Sequence, residues 1–282
     1  MENNDLISII IPCYNDWQYI EQAVNSALNQ TYPNKEVIIV DDGSNAKTKE
    51  ILKRLEPKIT KLITQENQGQ SKARNVGIEA SKGGYILVLD SDDFFEPSFS
   101  EKAIQVFINK KSVKLVTCQA NLLFEDGSSR IFTPKGGTIA DFILNNNALG
   151  TSMFKKEDWR MCGGYDEEMR NGFEDWEFFI RILKKGGIAE VIQEPLYNYR
   201  KRYNSTTSVA NSMKYELLRY IYIKHKIMYI DDFECFVSYL LARIEREEKE
   251  KIKNTERLEF KIGMIILRPF RNIIHFFKSL RK

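Results

Sequence analysis

Apolar and polar positions alternate along the first half of the chain in two rhythms. The stretch 6–15 (LISIIIPCYN) is almost wholly apolar and β-branched, as a strand buried on both faces would be. Ile20, Ala23, Val24, Ala27 and Leu28 then recur at helical spacing within IEQAVNSALNQ. The alternation continues with EVIIVDDGS as a strand, KTKEILKRL as a helix, KLITQENQG as a short strand, QSKARNVGIEAS as a helix and YILVLDSDD as a strand. Such a pattern predicts an α/β fold: a Rossmann-like, mostly parallel sheet with helices on both faces. Ligands of these sheets sit beyond the carboxyl ends of the strands. Those ends carry Asn15, Asp41 and Asp42, and Asp90, Ser91, Asp92 and Asp93.

After Asp93 the rhythm is mixed. VKLVTCQANLLF predicts a strand, EDGSSR a hairpin turn, and FEDWEFFIRILKKGG a helix that stops at glycine. From Asn211 the chain reads as helical, which places a domain boundary at 210 and makes 211–282 a helical C-terminal extension. Residues 261–282 hold Lys261, Arg268, Arg271, Lys278, Arg281 and Lys282 with no Asp or Glu. Beyond Pro269, the apolar residues Phe270, Ile273, Ile274, Phe277 and Leu280 fall opposite Arg271, His275, Lys278 and Lys282. A basic amphipathic helix of this kind suits the headgroup layer of an anionic membrane, though it also suits a terminal helix packed on the domain.

Composition narrows the classes. With 43% hydrophobic and 29% charged residues, the chain of 282 residues is globular rather than disordered. A net charge of +3 gives no reason to expect a nucleic-acid partner. No apolar run reaches the roughly 20 residues that span a bilayer. The start, MENNDLISIIIP, lacks the basic opening of a signal peptide. A cytoplasmic protein is expected, held peripherally at the inner membrane face if the tail binds lipid. Cys13, Cys118, Cys162 and Cys235 are scattered and expected to be reduced, and with only two histidines a Cys/His zinc site is nearly excluded.

Four segments carry candidate chemistry. Asp90-Ser91-Asp92-Asp93 crowds three carboxylates, and two like charges at 4 Å cost roughly 4 kcal/mol at an effective dielectric of about 20. A hard divalent ion such as Mg²⁺ or Mn²⁺ relieves that repulsion; a solvated acidic turn is the plainer alternative. Asp41 and Asp42 can accept hydrogen bonds from a base or ribose, or else cap the following helix. In NQGQSKARN (67–75), Lys72 and Arg74 can complement a diphosphate, or simply face solvent. In Gly172-Phe173-Glu174-Asp175-Trp176-Glu177 a carboxylate can act as general base beside the aromatic face of Trp176, although helix starts collect acidic residues for dipole reasons alone. There is no GxGxxG after the first strand, no GxxxxGK[ST], and no legible Ser/His/Asp set.

Taken together, IIIPCYN, QTYPNKEVIIVDDGS, NQGQSKARNVGI, YILVLDSDD, GGYDE and EDWEFFIRI resemble the family 2 glycosyltransferases of GT-A fold, from about Leu6 to Thr207. The resemblance implies an inverting transfer from a nucleotide-sugar donor, UDP-linked before GDP or dTDP, with Mn²⁺ or Mg²⁺. The acceptor would be a hydroxyl of a saccharide or lipid-linked oligosaccharide in surface polysaccharide synthesis. Residue by residue, it puts Asp42 and Asp41 on the uracil side, and Pro12, Tyr14 and Asn67 around the nucleoside. It puts Arg74 near donor or phosphate, and Asp90, Ser91 and Asp92 at the Asp-x-Asp pair, with the metal on Asp92 or Asp93. Asp175 would be the base with Glu174 beside it, and Gly163, Gly164, Tyr165, Asp166 and Glu167 an acceptor-side loop near Trp176.

One departure stands out. Where the family often has Tyr-Arg-x-His-x-x-Ser, this chain has Tyr199-Arg200-Lys201-Arg202-Tyr203-Asn204-Ser205, with Arg202 in place of the histidine. Arginine cannot ligate a metal but pairs bidentately with phosphate, so Arg202 with Arg200 is expected to clamp the diphosphate. Two other classes fit less well. A haloacid-dehalogenase-like phosphotransferase wants a threonine where Phe94 stands, and a non-catalytic sugar-nucleotide binder has no use for an intact Asp-x-Asp and Glu-Asp pair.

Overall fold

A computed structural model describes residues 3–202 and 206–267. The strands are β1 (Asn3–Cys13), β2 (Lys35–Asp42), β3 (Lys61–Gln65), β4 (Gly83–Val88), β5 (Phe94–Phe95), β6 (Val113–Phe124), β7 (Ser129–Phe132), β8 (Met153–Lys155) and β9 (Ile188–Lys201). The helices are α1 (Ile20–Leu28), α2 (Ala46–Leu55), α3 (Gln70–Ala80), α4 (Phe99–Asn109), α5 (Ile139–Phe142), α6 (Lys156–Cys162) and α7 (Glu174–Leu183). Four more follow: α8 (Thr206–Ser212), α9 (Lys214–Lys224), α10 (Lys226–Asp231) and α11 (Phe233–Glu256).

The strands form one mixed sheet in the order β3-β2-β1-β4-β8-β6-β9-β5, with β7 as a hairpin partner of β6. The first four are parallel, as the sequence pattern predicts. The antiparallel strand β8 then joins β4 to β6, and β6 runs parallel to β9. In β1, Ile7, Ile9, Ile10 and Ile11 are all fully buried. Their alternation sends Ile7, Ile9 and Ile11 into the layer that includes α1, α2 and α4, and Ile10 into the layer that includes α3 and α7. On α1, Ile20, Ala23, Val24 and Ala27 form the buried face that the spacing predicts. Helix α3 lies so close to the sheet that a Cβ at Gly77 would stand 2.5 Å from Ile10 Cγ2. That close approach seats α3 directly on β1, and because α3 follows β3 its amino end starts at the carboxyl edge of the sheet.

The chain divides by compactness into Met1–His225 and Lys226–Lys282, later than the boundary expected at 210. Helix α9 buries Leu217, Leu218 and Ile221, and its end is also held by charge. Glu177 on α7 is fully buried and accepts from Arg181 Nε at 2.8 Å and 2.9 Å, and from Arg181 Nη2 at 2.6 Å. It also pairs with Lys224 Nζ at 2.8 Å and with His225 Nε2 at 3.0 Å, both at the end of α9. Asp166 adds hydrogen bonds from Tyr220 (2.8 Å) and Lys224 (2.6 Å). The segment after 210 is therefore pinned to the first unit as far as His225. Among the described residues no helix is long and apolar enough to cross a membrane. The amphipathic pattern beyond Pro269 lies outside the described residues.

Burial works to raise the Glu177 carboxyl, but the hydrogen bonds from His225 and Arg181 outweigh it and hold the group at about 2. An unfolded glutamate titrates near 4.3. The stabilisation is thus complete above about pH 4.3 and is lost as pH falls toward 2, on the order of 3 kcal/mol in all. Glu177→Gln should lower stability at pH 7, and its unfolding free energy should fall less than the parent's between pH 5 and pH 3. Denaturant melts at those pH values check this; parallel slopes for the two proteins would contradict it.

Candidate functional site

Three loops meet at the carboxyl edge of β1, β2 and β4. The β1 loop begins with Tyr14, half exposed, and Asn15, whose φ is +61°. Asn15 donates its N–H to Ser44 Oγ and accepts from the N–H of Asn45 at 2.7 Å, which locks the first loop to the second. The β2 loop holds Asp41 and Asp42, both buried. Asp41 accepts from the N–H of Ser44 at 2.9 Å. Asp42 accepts from Gln65 Nε2 (2.7 Å) and from the N–H groups of Gln68 and Gly69 (2.9 Å each). It is thereby the fastener of the loop leading into α3, beside exposed Asn67, rather than a carboxylate standing open toward a base. Pro12 is buried within β1.

The α3 end then reaches the Asp-x-Asp turn. Gln70 Nε2 donates to Asp90 Oδ1 at 3.0 Å. Arg74 is buried, not solvent-facing, and its two terminal nitrogens are divided between Asp90 Oδ1 (2.8 Å) and Glu174 Oε1 (2.6 Å). Its guanidinium also lies 5.3 Å from the Tyr165 ring centroid. Burial opposes the Arg74 charge, but Asp90 and Glu174 together raise its pKa further above the ordinary arginine range. In this structure Arg74 therefore contacts carboxylates. Lys72 lies outside this group, paired with Glu167 at 3.1 Å.

The turn itself divides its labour. Asp93 is fully buried and accepts from the Tyr197 hydroxyl (2.6 Å) and the Arg200 N–H (2.7 Å), so both its oxygens are occupied by strand β9. Ser91 donates to Asp16 Oδ2 at 2.6 Å. Asp92 meets Arg202, whose other terminal nitrogen reaches Asp16 Oδ1 at 3.1 Å. Burial first, then the neighbouring Asp90, pushes the Asp92 carboxyl up to about 6. Arg200 donates to the Asp92 carbonyl and to Gln22 Oε1 (2.6 Å). The Tyr19 ring lies 4.9 Å from the Arg200 guanidinium and 5.2 Å from that of Arg202. The donor set around Asp92 fits a hard cation held by one or two carboxylates, with Asp90 beside it. Asp93, bound to β9 through both oxygens, lies deeper than Asp92. Among the described residues no group of three or more His, Cys, Asp or Glu is placed to hold a metal ion, so any cation here would rest on one or two carboxylates.

Helix α7 opens at Glu174 after Phe173, whose φ is +63°. Phe173 and Asn15 are the positive-φ non-glycine residues among the described ones, and each stands directly beside this edge, where strained backbone often aims functional groups. Asp175 follows Glu174 and is half-buried. Its Oδ1 accepts the N–H of Trp176 (2.8 Å), and its Oδ2 accepts from Asn146 Nδ2 (2.9 Å). Burial raises the Asp175 pKa, while Arg74 and these hydrogen bonds pull it down; the net direction is up.

The acceptor-side expectations are corrected in part. Tyr165 is buried, stacked at 4.1 Å on Phe178. The Gly164 carbonyl accepts from Arg181, and Asp166 is tied to α9. Trp176 is 5% exposed and donates its indole N–H to the Phe142 carbonyl at 2.6 Å, so it presents no free stacking face. These residues shape the wall behind the site. Asp16, Gln70 and Asn146 enter the site without having been singled out in the sequence. Asp16 could have been suspected from the tail of IIIPCYND; Asn146 sits in the asparagine run 145–147, which carries no readable signal. Buried polar atoms lacking a partner gather here as well: Arg74 Nε, Arg202 Nε and Tyr165 Oη. Such atoms mark a place where water or a polar ligand completes the hydrogen bonding.

The sequence and the fold have counterparts in known proteins. A family model described as "Glycosyl transferase family 2" matches residues 8–152, and one described as "N-terminal domain of galactosyltransferase" matches 141–207. A putative teichuronic acid biosynthesis glycosyltransferase, TuaG of Bacillus subtilis, is 31% identical over 86% of this chain and 97% of its own length. The chondroitin synthase of Pasteurella multocida is 31% identical over 73% of this chain but only 22% of that much longer protein. Among solved structures, S. aureus TarS 1-349 in complex with UDP-GlcNAc superposes with a TM-score of 0.63 at 23% identity, covering 77% of this chain and 65% of that one. The mannosyltransferase PcManGT of Pyrobaculum calidifontis, in complex with GDP-Man and Mn²⁺, gives 0.56 at 19% identity, over 72% and 59%. The sheet with its covering helices is thus the GT-A fold, and the chain belongs to glycosyl transferase family 2.

Proposed function

We propose that this enzyme transfers a sugar, with inversion, from a nucleotide-sugar donor to a hydroxyl of a saccharide or lipid-linked saccharide during polysaccharide assembly. The observation that carries this reading is the division of carboxylates by Arg74. It neutralises Asp90 and Glu174 in one buried bridge and leaves Asp175, next in sequence, held only by neutral donors. A base must accept a proton, and a carboxylate without an arginine on it keeps that capacity. TuaG and the chondroitin synthase, by their names, support a polysaccharide product. TarS with UDP-GlcNAc supports a UDP-sugar, and PcManGT keeps GDP-sugars open.

The chain's own residues would then act as follows. Asp92, with Asp90 beside it, would hold Mn²⁺ or Mg²⁺, which when bound supplies electrophilic stabilisation of the leaving diphosphate. Tyr14 and Asn67, exposed on the β1 and β3 loops, would border the nucleoside. Asp42 contributes by fixing the loop that presents them. Asp175 would take the proton of the acceptor hydroxyl as its oxygen attacks from the face opposite the nucleotide, and a single displacement inverts the anomeric centre. Arg202 would turn from Asp92 toward the diphosphate, its ring contact with Tyr19 serving as the pivot. The basic residues of 261–282 would draw the enzyme to an anionic membrane surface, where a lipid-linked acceptor resides.

Asp175→Asn should cut turnover about 100- to 10,000-fold while leaving UDP affinity near the parent's. Equal turnover would remove Asp175 as the base. Arg202→Ala should weaken UDP binding by about tenfold, measured by calorimetry with and without Mn²⁺. Unchanged affinity would rule out the clamp. Deleting 261–282 should abolish sedimentation with vesicles containing phosphatidylglycerol, and cosedimentation equal to that of the full chain would refute the tail's role.

A further inference from the structure

The carboxylate assigned as base does not hold its own position. Asp175 sits at the start of α7, and the residues facing it come from several elements. Glu174 precedes it on the same helix, and Arg74 on α3 faces it from the sheet side. Asp90, from the turn after β4, and Tyr165, from the loop after α6, complete its charged and titratable surroundings. None of these donates a hydrogen bond to it. Its two donors are the N–H of Trp176 on Oδ1 and the amide of Asn146 on Oδ2.

Asn146 belongs to the segment between α5 and β8, and that segment is fixed along its length. The Asn147 carbonyl accepts from the N–H of Gly136 (2.9 Å), and the Asn147 amide donates to the Asp141 carbonyl (2.9 Å). Leu149 donates its N–H to Thr117 Oγ1 (3.2 Å), and Ser152 donates to the Leu149 carbonyl (2.5 Å). The segment closes on the same carboxylate a second time at Gly150, where a Cβ would stand 3.0 Å from Asp175 Oδ2 and 3.5 Å from its Cγ. The Asn146 side-chain oxygen accepts the N–H of Ala148 at 3.4 Å, consistent with the amide NH₂ turned toward Asp175. A rigid strap thus lies across one oxygen of the base.

We propose that Asn146 is a positioning residue for the transfer reaction: its amide holds the Asp175 carboxylate ionised and correctly turned in a site that otherwise disfavours its charge. The inference rests on the reading of Asp175 as base and adds the group that sets its proton affinity. The choice of residue follows from the chemistry. A half-buried carboxylate near Asp90 and Glu174 drifts toward protonation. An arginine hydrogen-bonded to it would favour the ionised form and lower its basicity. A neutral amide donor stabilises the anion moderately and leaves it able to accept a proton. Asparagine also reaches from a fixed backbone with few rotatable bonds, so the carboxylate plane is set by the strap.

The test uses the full chain and reads Asp175 directly. Carboxyl-¹³C-labelled aspartate, with the Asp175 resonance assigned by its loss in Asp175→Asn, gives the titration midpoint without any donor. In Asn146→Ala that midpoint should rise by about one pH unit, and in Asn146→Asp, which places a second carboxylate against the first, it should rise further. In step, the acid limb of the kcat/KM profile for UDP-GlcNAc hydrolysis with Mn²⁺ should move to higher pH, and kcat should fall about 10- to 100-fold while UDP affinity stays at the parent's value. Thermal melts confirm that each variant is folded, and Asn146→Ser provides a smaller polar replacement if alanine unfolds the strap. A midpoint in Asn146→Ala equal to the parent's overturns the inference, whatever happens to kcat. A fully active Asp175→Asn would instead overturn the assignment of the base, so the two failures are distinguishable.

Discussion

The site depends on one buried ionic contact, the bridge of Arg74 to Asp90 and Glu174. A carboxylate from the fourth strand's end and one from the start of α7 would otherwise repel each other across a water-poor space. The guanidinium between them makes their approach favourable, and it can do so because its planar fork serves two acceptors at once. A lone buried arginine would be costly; so would two unpaired carboxylates. Each half makes the other tolerable. The consequence is geometric, since the Asp-x-Asp turn and the helix with the candidate base are held in register by a contact between distant stretches of chain.

Further hydrogen bonds tie the neighbouring loops to one another. Gln70 and Arg74 share Asp90, the N–H groups of Gln68 and Gly69 end on Asp42, and Asn15 and Ser44 link the first two loops. On the other side Ser91 and Arg202 meet at Asp16, and Asp93 is anchored by Tyr197 and Arg200 on β9. The three carboxylates of the turn thus have three different duties. Asp90 meets Gln70 and Arg74, Asp93 is a tether to β9, and Asp92, paired with Arg202, has its pKa raised to about 6. A carboxyl in that condition is short of positive charge. Arg202 now supplies some, and a divalent cation would supply more.

The residues behind the site follow the same economy. Glu177, one turn along α7, joins Arg181, Lys224 and His225, and Arg181 in turn holds the carbonyls of Cys162 and Gly164. Tyr165 stacks on Phe178 and lies under Arg74. Of the loop that the family resemblance assigned to the acceptor side, Gly164 and Tyr165 are buried and pack or bond against α7.

The sequence by itself determined the layering, because near-continuous apolar strands and helices of 3.6-residue period have one economical arrangement, a parallel sheet covered on both faces. It also determined that the acidic turns would share an edge, since parallel strands bring their carboxyl ends to one side. It could not say which carboxylates stay available. Arg74 looked like a phosphate contact in NQGQSKARN because charge is visible in sequence, whereas its two partners, one of them a hundred positions away, are not. Asp16, Gln70 and Asn146 were hidden for the same reason: a polar side chain becomes part of a site only through what stands opposite it. Tertiary packing alone made that decision, by burying Arg74, Asp93 and Glu177 with their partners and leaving Asp92 and Asp175 at the edge.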